Sequence, residues 1–308
     1  MRDHVIAELV ELSKEDNSIM LATADLGFNV VEKFSEKYPN RYINAGIAEQ
    51  NMTSIAAGLA LEGNEVYTYS IGNFPTLRCI EQLRNLVCYH NANVKVLAVG
   101  GGFAYGTLGM THHATEDIAM MRSLPNMDVY VPADAIEAVW CLRAIHNKKG
   151  PAYLRMARGK EPLIHNTEEK IDVKSPILIK ESGDDIIVFA SGTILSEAIK
   201  ACELLQNKNI RCSVYSVPCI KPIDDKKIIE LSKKSKLLIT MEEHNIIGGL
   251  GSSVAEVISQ TPSHAPLIRF GLQDEFTSTV GNQSYLREVY HIDAKSVCEV
   301  VEKTLEEF

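Results

Sequence analysis

Short runs of β-branched and aliphatic residues alternate along this chain with longer stretches of helical spacing, and that alternation restricts the fold more than any other feature. Val5, Ile6, Leu9, Val10 and Leu12 recur on one helix face and stop at Asp16-Asn17. Ile19 to Thr23 then reads as a strand, as do Arg41 to Asn44, Val66 to Tyr69, Val94 to Val99, Val129 to Val131 and Tyr153 to Met156. Helical stretches over Ile47 to Leu61, Leu77 to Tyr89 and Ala135 to His146 lie between them. Strands this short and apolar, joined by helices rather than tight turns, imply a parallel sheet covered on both faces.

The alternation fails between Gly159 and Lys180, where proline, charge and polar residues mix, and resumes with strands at Ile186 to Ala190, Arg211 to Ser216 and Leu237 to Met241. Helices over Leu195 to Gln206 and Asp225 to Lys233 separate these. The 308 residues exceed what a single hydrophobic core holds, roughly 250 to 300. The expectation is an α/β protein of two domains, 1–165 and 181–308, each a mostly parallel sheet flanked by helices, with a linker at 166–180.

Charge narrows the partners. With 31 basic against 40 acidic residues the formal charge is -9, the wrong sign for tracking nucleic-acid phosphates. The first residues carry charge among their apolar positions, unlike an export signal, and no apolar run nears the roughly 18 to 20 residues that span a bilayer. A cytoplasmic protein is expected. Its seven cysteines stand singly with no CxxC pair, which fits reduced, packed thiols.

The segment RYINAGIAEQNMTSIAAGLALEG, residues 41–63, runs a strand into a helix rich in alanine and glycine and places Glu49 in its first turn. A carboxylate there complements the helix dipole, and taken alone that explains it. The sequence Gly46-Ile47-Ala48-Glu49, followed by Met52, adds a second meaning. It resembles the G-[IV]-x-E-x-x-M element of the transketolase family, and the resemblance extends over nearly the whole chain. That resemblance implies a thiamine-diphosphate pyrimidine-binding domain followed by a transketolase C-terminal-like domain. It gives Glu49 the task of hydrogen-bonding the cofactor's pyrimidine nitrogen and favouring the imino tautomer, which generates the ylid indirectly.

THHATEDIAMMRSLPNMDVYVPAD, residues 111–134, matches the family's T-H-x-x-x-[ED] element with Thr111, His112 and Glu116. An isolated histidine is commonly structural; the resemblance has His112 face the reacting carbonyl, with His113 the weaker candidate. Thr23-Ala24-Asp25-Leu26 resembles an S-A-D-L turn whose first residue lines the substrate channel, here Thr23. In GPAYLRMARG the family's sugar-phosphate arginine aligns with Arg158; a solvated basic strand end explains Arg155 and Arg158 equally well. Gly100 to Gly109 follows a strand, as a dinucleotide-binding loop does, yet it comes late in the domain and lacks the acidic ribose partner. Close backbone approach explains its glycines as well. Glu242, Glu243 and His244 invite a metal site, but three sequential residues do not share a face, and the family uses that domain chiefly for dimer contacts.

The family binds diphosphate and magnesium with a GDG element, and this sequence has none. The resemblance therefore implies a split enzyme: a heterotetramer of two such chains and two partners, each partner carrying the diphosphate and Mg2+ site of a shared thiamine diphosphate. Three positions depart from an ordinary sugar transketolase. Ile71 stands where an aromatic residue stacks on the cofactor, leaving Phe74 the nearest ring. Leu108 replaces an aspartate that reads a donor hydroxyl, and Gly100 a histidine associated with phosphate. A site without those groups loses the discrimination they supply. The leading expectation is transfer of a two-carbon ketol unit between sugar phosphates. Alternatives are deoxyxylulose-phosphate-synthase-like condensation or a 2-oxo acid dehydrogenase beta role, THHATED favouring the first two readings over the last. A non-catalytic assembly subunit is a further alternative, against which the retained Glu49 argues.

Overall fold

In the computed structural model, which describes residues 1–159, 161–166 and 171–306, the chain forms two sheets with helices packed on them. The first part runs α1 (Arg2–Glu15), β1 (Ile19–Thr23), α2 (Glu32–Lys37), β2 (Tyr42–Asn44), α3 (Glu49–Leu61) and β3 (Glu65–Ile71). A 3-10 turn (Leu77–Cys79), a single α turn α4 (Ile80–Gln82) and a π-helical stretch (Leu83–Cys88) then lead to β4 (Val94–Val99). α5 (Asp117–Ser123), β5 (Asp128–Tyr130), α6 (Ala135–His146) and β6 (Ala152–Met156) follow. The second part comprises β7 (Ile177–Lys180), β8 (Ile186–Ser191), α7 (Leu195–Gln206), β9 (Cys212–Ser216), β10 (Cys219–Lys221) and α8 (Asp225–Lys234). It ends with β11 (Leu237–Asn245), α9 (Leu250–Ile258), β12 (Leu267–Leu272), α10 (Gln283–Val289) and α11 (Ala294–Glu306).

The seven-stranded sheet has the order β10-β5-β6-β4-β3-β1-β2 and the five-stranded sheet β12-β11-β8-β9-β7. Among the strands of the described residues, β10 against β5 and β7 against β9 are the antiparallel pairs. Central strands read as continuous apolar runs because both faces are covered: all of β4 is buried. Its one charge, Lys95, donates to the carbonyls of Lys148 and Gly150 at 2.7 Å each, and burial lowers its pKa to about 8. Asp134 caps α6 by accepting from the amides of Ile136 and Glu137 at 3.0 and 2.8 Å, a contact typically worth about 1 kcal/mol.

The halves are less separate than the sequence suggests. β10 leaves the second half to extend the first sheet, and one apolar cluster joins Ala56 and Ala57 of α3 and Val96 of β4 to Phe189 of β8 and Val254 of α9. The expected linker, 166–180, needs correction at its end. Residues 167–170 lie outside those described, but Ile177–Lys180 are strand β7 of the second sheet, with Ile177 buried and Lys180 paired to Glu203. A strand this short, set between proline and charged residues, shows no period in the sequence.

Candidate active site

The parallel strands of the first sheet direct their C-terminal ends to one edge, and the loops there hold most of the residues singled out above. Asn44, at the end of β2, ties two of these loops together. Its Oδ1 accepts from the amides of Asp25 and Gly46, both at 3.0 Å, and its Nδ2 donates to Asp25 Oδ1 at 3.1 Å. The turn after β2 thereby delivers Glu49 as the first residue of α3, where the side chain is 3% exposed. A carboxylate so enclosed needs compensation. The helix N-terminus supplies part of it, and Arg78 the rest: its Nη1 lies 2.6 Å from Glu49 Oε2. Among the described residues no hydrogen bond or ion pair reaches Oε1.

Arg78 was not foreseen in the sequence. It lies in the 3-10 turn after β3, its guanidinium 5.0 Å from the centre of the Phe74 ring, and its carbonyl accepts from Gln50 Nε2 at 3.1 Å. Phe74 in turn meets the His112 ring edge-on at 5.4 Å. Asn73 joins their loops, its Nδ2 donating to the carbonyls of His113 and Thr111 at 2.8 and 3.2 Å. Glu49, Arg78, Phe74 and His112 thus form one chain of contacts. Ile71 stands apart from it, packed at the end of β3 against the core of the first sheet.

The two histidines divide sharply. His112 is half-buried, with Nδ1 3.0 Å from Thr111 Oγ1 and no partner for Nε2 among the described residues. His113 is sealed: Nε2 lies 3.0 Å from the Gly106 carbonyl and Nδ1 2.7 Å from Thr277 Oγ1. A carbonyl only accepts, so Nε2 carries the proton and the ring is spent on tying two loops together. A substrate contact for His113 is therefore corrected to a structural one. Thr23 is corrected likewise: it is fully buried, its hydroxyl hydrogen-bonds that of Tyr42 at 2.9 Å, and it presents nothing to a channel.

Arg158 is exposed, stacked 5.0 Å from the Tyr105 ring, and lines a cleft of about 500 Å3 with Arg2, Asp3, Glu161 and Gln283. Arg2 was also missed. Its Nε is buried without a hydrogen bond and lies 3.9 Å from the Asp3 carboxylate, so the second guanidinium of this cleft is already ion-paired within it. Arg155 is different in kind, buried and ion-paired to Asp117 at 2.8 Å. The glycine-rich run serves packing. Gly100 has φ +95°, and a Cβ there would run into the Tyr105 ring, while one at Gly102 (φ +61°) would strike the Glu243 carboxylate. Tyr105 thus fills the room that a side chain at position 100 would need, and Leu108 stands exposed at the same edge.

Glu242, Glu243 and His244 each have their own hydrogen-bond partners, although His244 Nδ1 also lies 3.7 Å from Glu242 Oε2. Glu242 accepts from the amides of Leu250 and Gly251 at 2.7 and 2.9 Å at the start of α9, and burial raises its pKa to about 7. Glu243 accepts from the Phe103 amide at 2.6 Å and pairs with Arg287 at 2.5 Å, binding the glycine-rich loop to α10. His244 Nδ1 donates to the Asn245 carbonyl at 2.6 Å while Nε2 accepts from the Ala119 amide at 3.3 Å, a neutral ring whose pKa burial lowers to about 4. Among the described residues one cluster has metal-ligand spacing, Asp16, Glu65 and His146. It lies at the opposite edge of the sheet and is closed on itself: Glu65 holds His146 Nδ1 at 2.9 Å and the Tyr67 hydroxyl at 2.6 Å.

Residues 1–162 match the transketolase pyrimidine binding domain and residues 176–297 the transketolase C-terminal domain. A provisionally named transketolase C-terminal section of Methanocaldococcus jannaschii is 39% identical over 294 residues, covering 94% of this chain and 91% of that protein. An apulose-4-phosphate transketolase subunit of Actinobacillus succinogenes is 35% identical over 270 residues, 88% of this chain and 86% of its own. Among solved structures, a split-gene transketolase described as an inactive beta4 tetramer superposes with a TM-score of 0.89 at 33% identity, covering 99% of this chain and 97% of that one. By domain content, sequence and fold, the chain belongs to the transketolase family.

Proposed function

We propose that this chain is one subunit of a thiamine-diphosphate-dependent enzyme that transfers a two-carbon ketol unit between sugar phosphates. The observation that carries the reading is Glu49: a buried carboxylate at the head of α3, one oxygen held by Arg78 and the other without a partner among the described residues, within one contact chain of the Phe74 ring. A carboxylate oxygen and an aromatic face suit a flat, hydrogen-bonding pyrimidine. Nothing at this edge suits a diphosphate and its magnesium: among the described residues the one cluster of ligand spacing is at the other edge, and the sequence has no GDG element. A partner chain supplies that half and its Mg2+, in an assembly of two chains of each kind.

Bound there, the cofactor supplies the electron sink that cleavage of a bond beside a carbonyl requires. The rest falls to this chain. Glu49 Oε1 would accept a hydrogen bond from a protonated ring nitrogen. His112, with Nδ1 engaged by Thr111, leaves Nε2 to exchange a proton with a substrate oxygen. Arg158 and Arg2 offer two guanidinium groups to a terminal phosphate. With Leu108 and with Tyr105 packed over Gly100, the donor hydroxyl and phosphate are read differently from those of an ordinary pentose phosphate.

Calorimetric titration of thiamine diphosphate with magnesium into this chain, alone and mixed with a GDG-bearing partner subunit, tests the reading. Binding in the mixture only is the expected result. Tight binding to this chain alone would overturn the shared site, and absence of binding in both would overturn the cofactor.

A further inference from the structure

Arg78 touches both elements that the proposed cofactor site needs. Its Nη1 is 2.6 Å from Glu49 Oε2, and its guanidinium lies 5.0 Å from the Phe74 ring centre. Its own backbone is fixed to the first turn of α3 through Gln50, and the neighbouring Cys79 Sγ reaches the Phe74 carbonyl at 3.2 Å. The side chain of Arg78 is nevertheless half-exposed, so no further packing holds the guanidinium where it is. The carboxylate and the ring do.

We infer that Arg78 is a positioning residue, setting the plane of the Glu49 carboxylate so that Oε1 faces the ring held against Phe74. The inference rests on the function proposed above. The terminal torsion of a glutamate is broad and roughly two-fold, so burial alone does not fix where each oxygen points. Anchoring Oε2 does, and leaves Oε1 as the acceptor. Arginine suits the task because one rigid, planar cation donates a hydrogen bond at its edge while its face lies against an aromatic ring. A lysine ammonium is a point charge that neutralises the carboxylate without orienting it. Removing Arg78 would also leave a buried carboxylate unpaired.

The test is a double-mutant cycle in the assembled complex, reading thiamine diphosphate affinity by calorimetry for wild type, Arg78→Gln, Arg78→Lys, Glu49→Gln and the Glu49→Gln/Arg78→Gln pair. Arg78→Gln should weaken binding at least tenfold, and Arg78→Lys should recover only part of that. The pair should bind no more weakly than Glu49→Gln alone, because the arginine then has nothing left to orient. Additive losses would overturn the inference. So would tighter binding by Arg78→Gln, which would make the guanidinium a placeholder that the cofactor must displace. A second cycle needs no cofactor. In the free chain Arg78→Gln should lower the melting temperature by about 2 to 4 °C, and adding Glu49→Gln should restore it. A wild-type complex that binds no cofactor would sink the proposed function while leaving this cycle to decide the pairing. Additive melting shifts would then refute it.

Discussion

His112 and His113 are neighbours in sequence, yet the turn that carries them aims one ring at Phe74 and the site edge and the other into the protein against Gly106 and Thr277. Their replacement should separate accordingly. His112→Ala is expected to lower the transfer rate of the reconstituted complex by about 100-fold or more while cofactor affinity stays within about twofold. His113→Ala should act on thermal stability first, because it frees a buried carbonyl and a buried hydroxyl at once. Steady-state rates beside melting curves check both; loss of cofactor binding in His112→Ala would remove it from proton transfer. Position at the head of a helix was legible for Glu49 because the residues around it carry a recognisable spacing. Its partner was not: Arg78 follows at a separation of 29 residues, on a turn with no periodicity of its own. Arg2 reaches the Arg158 cleft because Met1 is anchored just beyond β6, its Sδ accepting from the Ala157 amide at 3.2 Å and its amino group pairing with Glu161 at 3.1 Å. Thr23 shows the converse, since a strand's last residue points wherever the pleat sends it, here to Tyr42.

At the scale of elements, the buried central strands were plain in the sequence because a fully covered strand must be continuously apolar. β1 and β4 fall where expected, and α7 runs over its expected span. The stretch expected as a helix from Leu77 to Tyr89 is a 3-10 turn, one α turn and a π-helical stretch, an irregularity that sets Arg78 beside Glu49. β10 could not be read, since three residues have no period and their pairing with β5 is decided by the whole fold. β11 carries a testable electrostatic consequence at its end. His244 is sealed and neutral, its pKa lowered by burial to about 4 from the usual 6.5. A histidine with a depressed native pKa contributes stability that is complete above pH 6.5 and is lost as pH falls through 4. The stability of the wild type relative to His244→Gln should therefore shrink by about 3 kcal/mol over that window. Melting curves of both proteins from about pH 7.5 down to about pH 4 measure it, and parallel curves would mean that the imidazole is not titrating alone.

At the scale of the whole molecule, the edge that carries Glu49 also carries apolar side chains with nothing over them. Phe28, in the loop after β1, is 72% exposed and Ile47, two residues before Glu49, is 81% exposed; Leu77, Leu108 and Met110 add to them. Scattered exposed leucines need no explanation, whereas several large apolar residues around one site mark a surface that is covered in the working assembly. The second chain proposed above to complete the site would cover them. Ile47→Asp separates the idea from folding. The side chain makes so little contact within the chain that the melting temperature should stay within about 1 °C, whereas a charge buried against a partner should weaken association at least tenfold. Sedimentation of the mixed subunits measures the second quantity. Undiminished association would mean that the partner docks elsewhere, while loss of association with an unchanged melting curve would place the partner against the start of α3.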